Sequence, residues 1–495
     1  MSIQRRAFGA IQRRALLGLI ALCGVSLVSP ALTQDAGEKK DEAAKSAATP
    51  KKDEKKDEWF AVLNGDVYTG TGAVLRGATV LSKNGVIEAV GHELELPSDT
   101  KTLDATGLRV YPGLVAINST GLFGAAGGEF ADSVDPYNSR MVLALASGIT
   151  SAGQSNTALK LKRREIKGVV MRERYLTTLS FSSSNPSGKR EWVDKFDKAS
   201  KYLRDYRDWE EKKKDDKELK EPSNSGVDST ARAILEGKTL ARFNASNRED
   251  LLDIARLAQR FGFRPVIDGC VEGWTVADEL GRAGAYAVIT PRTRRDKEEQ
   301  VVRDGGSSIE NAAILHRSGV QVCVIPSNVG VDLGGIAGRD ILHLPIEADF
   351  AVRGGLSEQA ALESITIVPA RLLGVAHRVG SIEKGKDCDL IVTDGDVLHY
   401  QTLVQYTVVD GKQVYDKSQE LFFAHIRPRA TAQLAPEARQ DKGEAAEHTS
   451  DESAETKPEE TKGGDDKTPP EKKPDEKKPD EKKPDEKKPD EKKPD

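Results

Sequence analysis

Histidine is the side chain that most readily activates water or holds a transition metal near neutral pH, and this sequence has seven: His92, His316, His343, His377, His399, His425 and His448. None lies in a His-x-His pair. His343, in "GRDILHLPIEADF", is the one best placed to meet chemistry, and a lone histidine there is more often a packed or surface side chain than a ligand. Oxygen ligands for a harder ion such as Mg2+ or Ca2+ could come from Asp268, Asp332 and Asp340. Glu129, Asp132 and Asp135, in the loop "GLFGAAGGEFADSVDPYNSR", could do the same, although helix capping is the simpler role for them. No Gly-x-Ser-x-Gly elbow is present, and no Gly-rich run is closed by Lys-Ser or Lys-Thr, so neither a serine nucleophile nor a phosphate loop is expected. Cys270, Cys323 and Cys388 follow no Cys-x-x-Cys spacing and sit in apolar segments, which predicts buried free thiols.

The elements that must position such groups follow from pattern. "REDLLDIARLAQRFG" then "RPVIDG", "TVADELGRAG" then "AYAVITP", and "IENAAILHRSG" then "VQVCVIPS" alternate amphipathic helices with apolar strands. That order implies parallel strands joined by crossover helices, most simply closed as a (β/α)8 barrel of TIM type over residues 112–376. In such a barrel the chemistry lies just beyond the C-terminal end of each strand. Residues 59–111 are β-rich and punctuated by Asn64-Gly65 and Asn84-Gly85. Residues 377–430 have the same texture, with Asp410-Gly411 as a hairpin turn. Together they could complete one small sheet domain. Within the barrel, residues 189–221 place Trp192, Phe196, Ala199, Leu203 and Tyr206 on one face of a long amphipathic helix, either a lid over the barrel mouth or an ordinary packed helix.

Both ends of the chain differ from this core. Residues 1–33 combine Arg5, Arg6, Arg13 and Arg14 with an apolar run and small residues near Ala31, the layout of a cleaved export signal; periplasm or cell envelope is the expected location, with no stable membrane span once the signal is removed. Residues 34–58 and 431–495 are charged and lack apolar periodicity, the latter ending in repeats of "EKKPD". Such segments cannot bury enough apolar surface to offset the entropy of ordering them, so a disordered linker and an extended tail are expected, the tail's partner being open. The formal charge of -5 is a small difference between 74 basic and 79 acidic residues, and nothing points to nucleic acid.

"VLNGDVYTGTGAVLRGATVLSKNGVIEAVG", "LDATGLRVYPGLV" and "LSEQAALESITIVPARLLGVAHRVGSIEKGKDCDLIVTDGD" together resemble the amidohydrolase superfamily, specifically its imidazolonepropionase-like branch, over about residues 59–417. The resemblance implies a TIM-type barrel with a composite sandwich, and hydrolysis of carbon-nitrogen bonds by a water activated on divalent metal. It also implies where the ligands should be. The His-x-His pair falls on Asn118 and Thr120 in "YPGLVAINSTGLFG". The next histidine falls on Asn244 in "LARFNAS". The following one falls on Gly269, or on Asp268, in "VIDGCVEG", and the final acid falls on Asn328 in "PSNVG". Amides and hydroxyls are poor zinc ligands. The expectation is therefore a hydrolytic centre that has been lost, no metal cofactor, and a pocket suited to a polar small molecule. The alternative is an active hydrolase with an atypical oxygen-ligand site for Zn2+, Mg2+ or Ca2+ built on Asp268, Asp332, Asp340 or His343. A homo-oligomer is compatible with either.

Overall fold

A computed structural model describes residues 57–122, 135–154, 156–296, 304–326 and 343–420. The expected export signal at residues 1–33, nearly all of the charged stretch at 34–58 and the stretch at 431–495 lie outside these residues, as do Glu129, Asp132, Asn328, Asp332 and Asp340. No helix among the described residues is long and apolar enough to cross a membrane.

The first strands are β1 (Trp59–Tyr68), β2 (Val74–Lys83), β3 (Val86–Gly91), β4 (Lys101–Asp104) and β5 (Arg109–Pro112). β2 and β3 turn at Asn84 and Gly85, both at positive φ (53° and 83°), the conformation a two-residue hairpin loop demands and these residues tolerate best. β4 pairs parallel with the first half of β1 and β5 with its second half, in the register Phe60 with Lys101 and Asp66 with Arg109. The far edge of β5 is taken by strands from the other end of the chain. β15 (Leu390–Thr393) runs antiparallel to it, Leu390 opposite Pro112, and is followed by β16 (Val404–Val409) and β17 (Lys412–Asp416). Hydrogen bonding runs unbroken through one eight-stranded sheet, ordered β17-β16-β15-β5-β1-β2-β3 with β4 beside β1. Val62, Val80, Val110, Leu390 and Val408, from both ends of the sequence, share one apolar cluster.

Between these segments lie β6 (Leu114–Ala116), β7 (Ile149–Gln154), β8 (Thr157–Lys160), β9 (Val170–Glu173), β10 (Leu176–Thr178), β11 (Leu240–Ala245), β12 (Pro265–Gly269), β13 (Tyr286–Ile289) and β14 (Gln321–Val324). The helices are α1 (Ser139–Ala146), α2 (Pro186–Lys212), α3 (Ser229–Leu235), α4 (Arg248–Phe261), α5 (Ala277–Arg282), α6 (Asn311–Arg317), α7 (Leu344–Arg353), α8 (Glu358–Ser364) and α9 (Ile367–Leu373). β10 to β14 form a five-stranded parallel sheet; β6 and β7 are parallel, and β8 and β9 extend them antiparallel. The pairing is thus in two sheets, not one closed ring of eight parallel strands. The side-chain amide of Asn156 spans one gap between them, accepting from Leu176 N at 2.7 Å and donating to Leu176 O at 2.5 Å, much as a neighbouring strand would.

Strand alternation sorts the layers. Phe243, Ile267, Ala287 and Val322 face outward onto Leu251, Ile254, Leu280 and Leu315 of the surrounding helices. Val115, Ile117, Tyr175, Val266, Val288 and Cys323 face inward, packed with Ile367, Val368, Leu372 and Leu373 of α9. α9 is thereby a plug beneath the strand interior. The long helix α2 packs outside, against the layer of α4: Phe196 is fully buried and stacks on Phe261 and Phe263 with ring centroids 5.3 and 5.1 Å apart. Its buried stripe is Phe196, Ala199, Tyr202 and Trp209, so Leu203 and Tyr206 lie at the margin of the face rather than at its centre.

A buried charge cluster ties the inner strands to the two-ended sheet. Lys160, at the end of β8, is fully buried and reaches Asp389 at 3.1 Å and Asp410 at 2.6 Å, together with Asp387. Arg378 meets Asp387 at 2.7 Å and Lys162 meets Asp410 at 2.5 Å.

Candidate functional site

The strand ends named above converge on one polar cluster. Asn118 sits just beyond β6 with φ at 55°, a left-handed conformation that asparagine adopts more readily than most residues. That bend interrupts the strand's alternation and lets the Asn118 amide donate to Asp268 Oδ2 at 3.2 Å. The same oxygen receives Arg242: Nε donates at 2.6 Å and Nη2 donates as well. Arg242 and Asn244 occupy the same face of β11, and Asn244 stands directly opposite Asp268 on β12. The other oxygen, Asp268 Oδ1, is buried and has no hydrogen-bond partner. Burial raises the Asp268 carboxyl above its ordinary value, and Arg242 and Asn118 offset that only in part.

A cleft of about 480 Å³ opens beside this pair, lined by Asn118, Ser119, Thr120, Gly153, Asn156, Tyr175, Leu176, Thr177, Thr178 and Arg242. Tyr175 is 2% exposed, and burial pushes its phenol well above the usual range, so it stays protonated. A Cβ on Gly153 would stand 2.5 Å from the Tyr175 hydroxyl and 2.7 Å from Leu373. Glycine is what allows the ring to lie there.

Of the residues expected here, Asn118, Thr120, Asn244 and Asp268 lie together at the strand ends. Gly269 does not: it pairs with Ala245 on the outward face of its strand, at φ 93°, and borders a separate small cavity beside Ile289 and Thr290. Asp268 is the inward position because the β12 alternation runs Val266, Asp268. His343 is the residue preceding α7 and does not line the cleft. Asn328, Asp332 and Asp340 are outside the described residues. Asp135 accepts from Tyr137 N at 3.0 Å in the turn before α1, and Asn138 is the residue that caps that helix, accepting from Arg140 N at 3.0 Å. The sequence reading missed Arg242, Tyr175 and Asn156. Arg242 was the legible one, since it lies two residues before Asn244 and therefore on the same strand face.

Parallel strands carrying their polar groups at the carboxyl ends, with helices outside and a β-rich module built from residues 59–112 and 390–416, define a barrel-type scaffold of mixed α/β content. Comparison with known proteins gives the family. The amidohydrolase-family model matches residues 272–414. Amidohydrolase tasK of Hapsidospora irregularis is 33% identical over 96 residues, 19% of this chain and 10% of that protein. N-acetylglucosamine-6-phosphate deacetylase of Danio rerio is 43% identical over 68 residues, 14% of this chain and 16% of that protein. The matches thus span less than a fifth of either relative. The crystal structure of an amidohydrolase from Thermotoga maritima MSB8 shares the fold over 72% of this chain and 100% of its own, with a TM-score of 0.55 and 24% identity. The chain belongs to the amidohydrolase superfamily.

Members of that superfamily usually hold a divalent metal, and the donors at these strand ends can be tested against one. A hydrolytic ion needs imidazoles or carboxylates with lone pairs to give. Here the carboxylate at the cluster's centre is engaged by a guanidinium through one oxygen and sealed from the cleft at the other. A fixed cation stands beside it, and the remaining groups are amides and hydroxyls. Among the described residues no group of three or more His, Cys, Asp or Glu side chains could hold an ion. The described donor set does not fit a divalent metal.

Proposed function

We propose that this chain is an imidazolonepropionase-like member of the superfamily in which the Arg242–Asp268 ion pair stands in place of the hydrolytic metal, leaving the cleft to bind a small polar molecule without splitting it. The observation that carries this reading is Arg242 itself, a permanent cation in contact with the carboxylate that a metal would require. On this reading the two inner sheets are the halves of a family-type barrel and the two-ended sheet is its composite sandwich. Export through the leader at residues 1–33 and self-association belong to the same proposal.

A second reading is supported by the 43% identity to a deacetylase: a metal-dependent hydrolase of carbon-nitrogen bonds, whose ligands would have to come from Asp332, Asp340 and Asn328. Metal analysis of the purified full chain separates the two. The first predicts substoichiometric zinc, magnesium and calcium after dialysis against trace metal, and no chelator-sensitive hydrolysis of N-acetylglucosamine 6-phosphate or of cyclic amides. One tightly held ion per chain would establish the second.

A further inference from the structure

We propose that the cleft takes its ligand by a carboxylate, held on the unused edge of the Arg242 guanidinium and by the Tyr175 hydroxyl. This rests on the binding reading above and goes further by naming the ligand's chemical class. Arg242 gives Nε and Nη2 to a single oxygen of Asp268, so only one edge of the planar fork is engaged. Nη1 makes no hydrogen bond among the described residues, and Arg242 is one of the residues that line the cleft. Two parallel N–H groups in one plane are the geometry that a carboxylate fills bidentately.

Tyr175 is the second observation. Its ring is all but inaccessible, and its hydroxyl lies beside Gly153 where both residues line the same cleft. A hydroxyl at the end of a ring fixed by packing can donate to a ligand without an ordering cost of its own. Both groups are donors, and a carboxylate is purely an acceptor. Asp268 does not repel such a ligand strongly, because its own charge is already met by two Arg242 N–H groups and the Asn118 amide. Thr178, exposed at the rim, is placed to meet the rest of the molecule. A cleft of about 480 Å³ is of the size that holds small metabolites.

The test uses the full chain in EDTA, with N-acetylglycine and its uncharged N-methylamide compared by calorimetry and by saturation-transfer NMR. We expect the carboxylate to bind about tenfold or more tightly than the amide, the difference one charge-assisted contact makes. Tyr175→Phe should weaken N-acetylglycine by about tenfold and leave the amide unchanged. Arg242→Lys, which keeps the charge and loses the fork, should act in the same direction. Should either variant fail to fold, Thr178→Val at the exposed rim still reads the site through a loss common to both probes. Equal binding of the two probes, no binding of N-acetylglycine at millimolar concentration, or an unchanged affinity in folded Tyr175→Phe would overturn the proposal. A tightly bound metal in the preceding experiment would sink the non-hydrolytic reading instead, and the comparison in EDTA would still report on the carboxylate.

Discussion

At the scale of single residues, the Arg242–Asp268 pair is the centre of the site and also a stability element. Arg242 is 28% exposed and Asp268 15%, so their interaction is partly screened. Arg242→Gln removes the charge that faces a mostly buried carboxyl, and we expect a loss of at most about 3 kcal/mol at neutral pH, the lower end for broken buried pairs. The sign of its pH dependence follows from Asp268, whose folded value is raised above 3.8 by burial. A raised acid contributes stability that is fully present below the unfolded value and is lost as pH rises through the folded one. Without Arg242 that decline should be steeper. Urea unfolding of the variant from acidic to neutral pH checks it, and adding Asp268→Asn should flatten the curve; a flat curve in Arg242→Gln alone would count against this assignment. The cysteines behave as their contexts suggested. Cys270, Cys323 and Cys388 are free and buried, with the thiols of Cys270 and Cys388 pushed up to about 12, so all three should resist alkylation until the protein is unfolded.

At the scale of elements, alternation within a strand was readable and the breaks in alternation were not. "LARFNAS" and "RPVIDG" gave their inward residues to a period-two count, whereas the left-handed turn at Asn118 that redirects its amide depends on what lies opposite it. Asn156 is the sharper case. Nothing in "GQSNTALK" marks it as a surrogate strand, because its role exists only against Leu176, 20 residues on. Asn156→Ala leaves both Leu176 backbone groups without that partner, and the positive φ of 63° disfavours alanine too. We expect about 2–4 kcal/mol of destabilisation in thermal unfolding, while Asn156→Gly should lose the bridge alone and fall between that variant and the wild type. The long helix α2 shows the same division: its amphipathic face was evident, but that its buried stripe runs through Phe196, Ala199, Tyr202 and Trp209 was decided by what packs against it, with Phe261 and Phe263 stacking on Phe196.

At the scale of the whole molecule, strands from residues 59–112 and 390–416 meet in one sheet, and buried charge locks that sheet to the inner strands. Lys160 is fully buried among three aspartates. Lys160→Met strands those carboxylates, so a loss of about 3–5 kcal/mol is expected in denaturant unfolding, with Arg378 and Lys162 meeting part of the remaining charge. What the sequence determined by itself was everything local: the strand and helix periods, the hairpin turns, the likeness to a hydrolase superfamily, and the absence of any His-x-His pair. The tertiary structure alone decided which polar groups face each other. It brought Arg242 onto Asp268, turned Gly269 away, and put Tyr175 against Gly153. The reason is physical: periodicity is a property of neighbouring residues, whereas a site depends on the register between strands and on the packing beneath them, which no stretch of sequence carries alone.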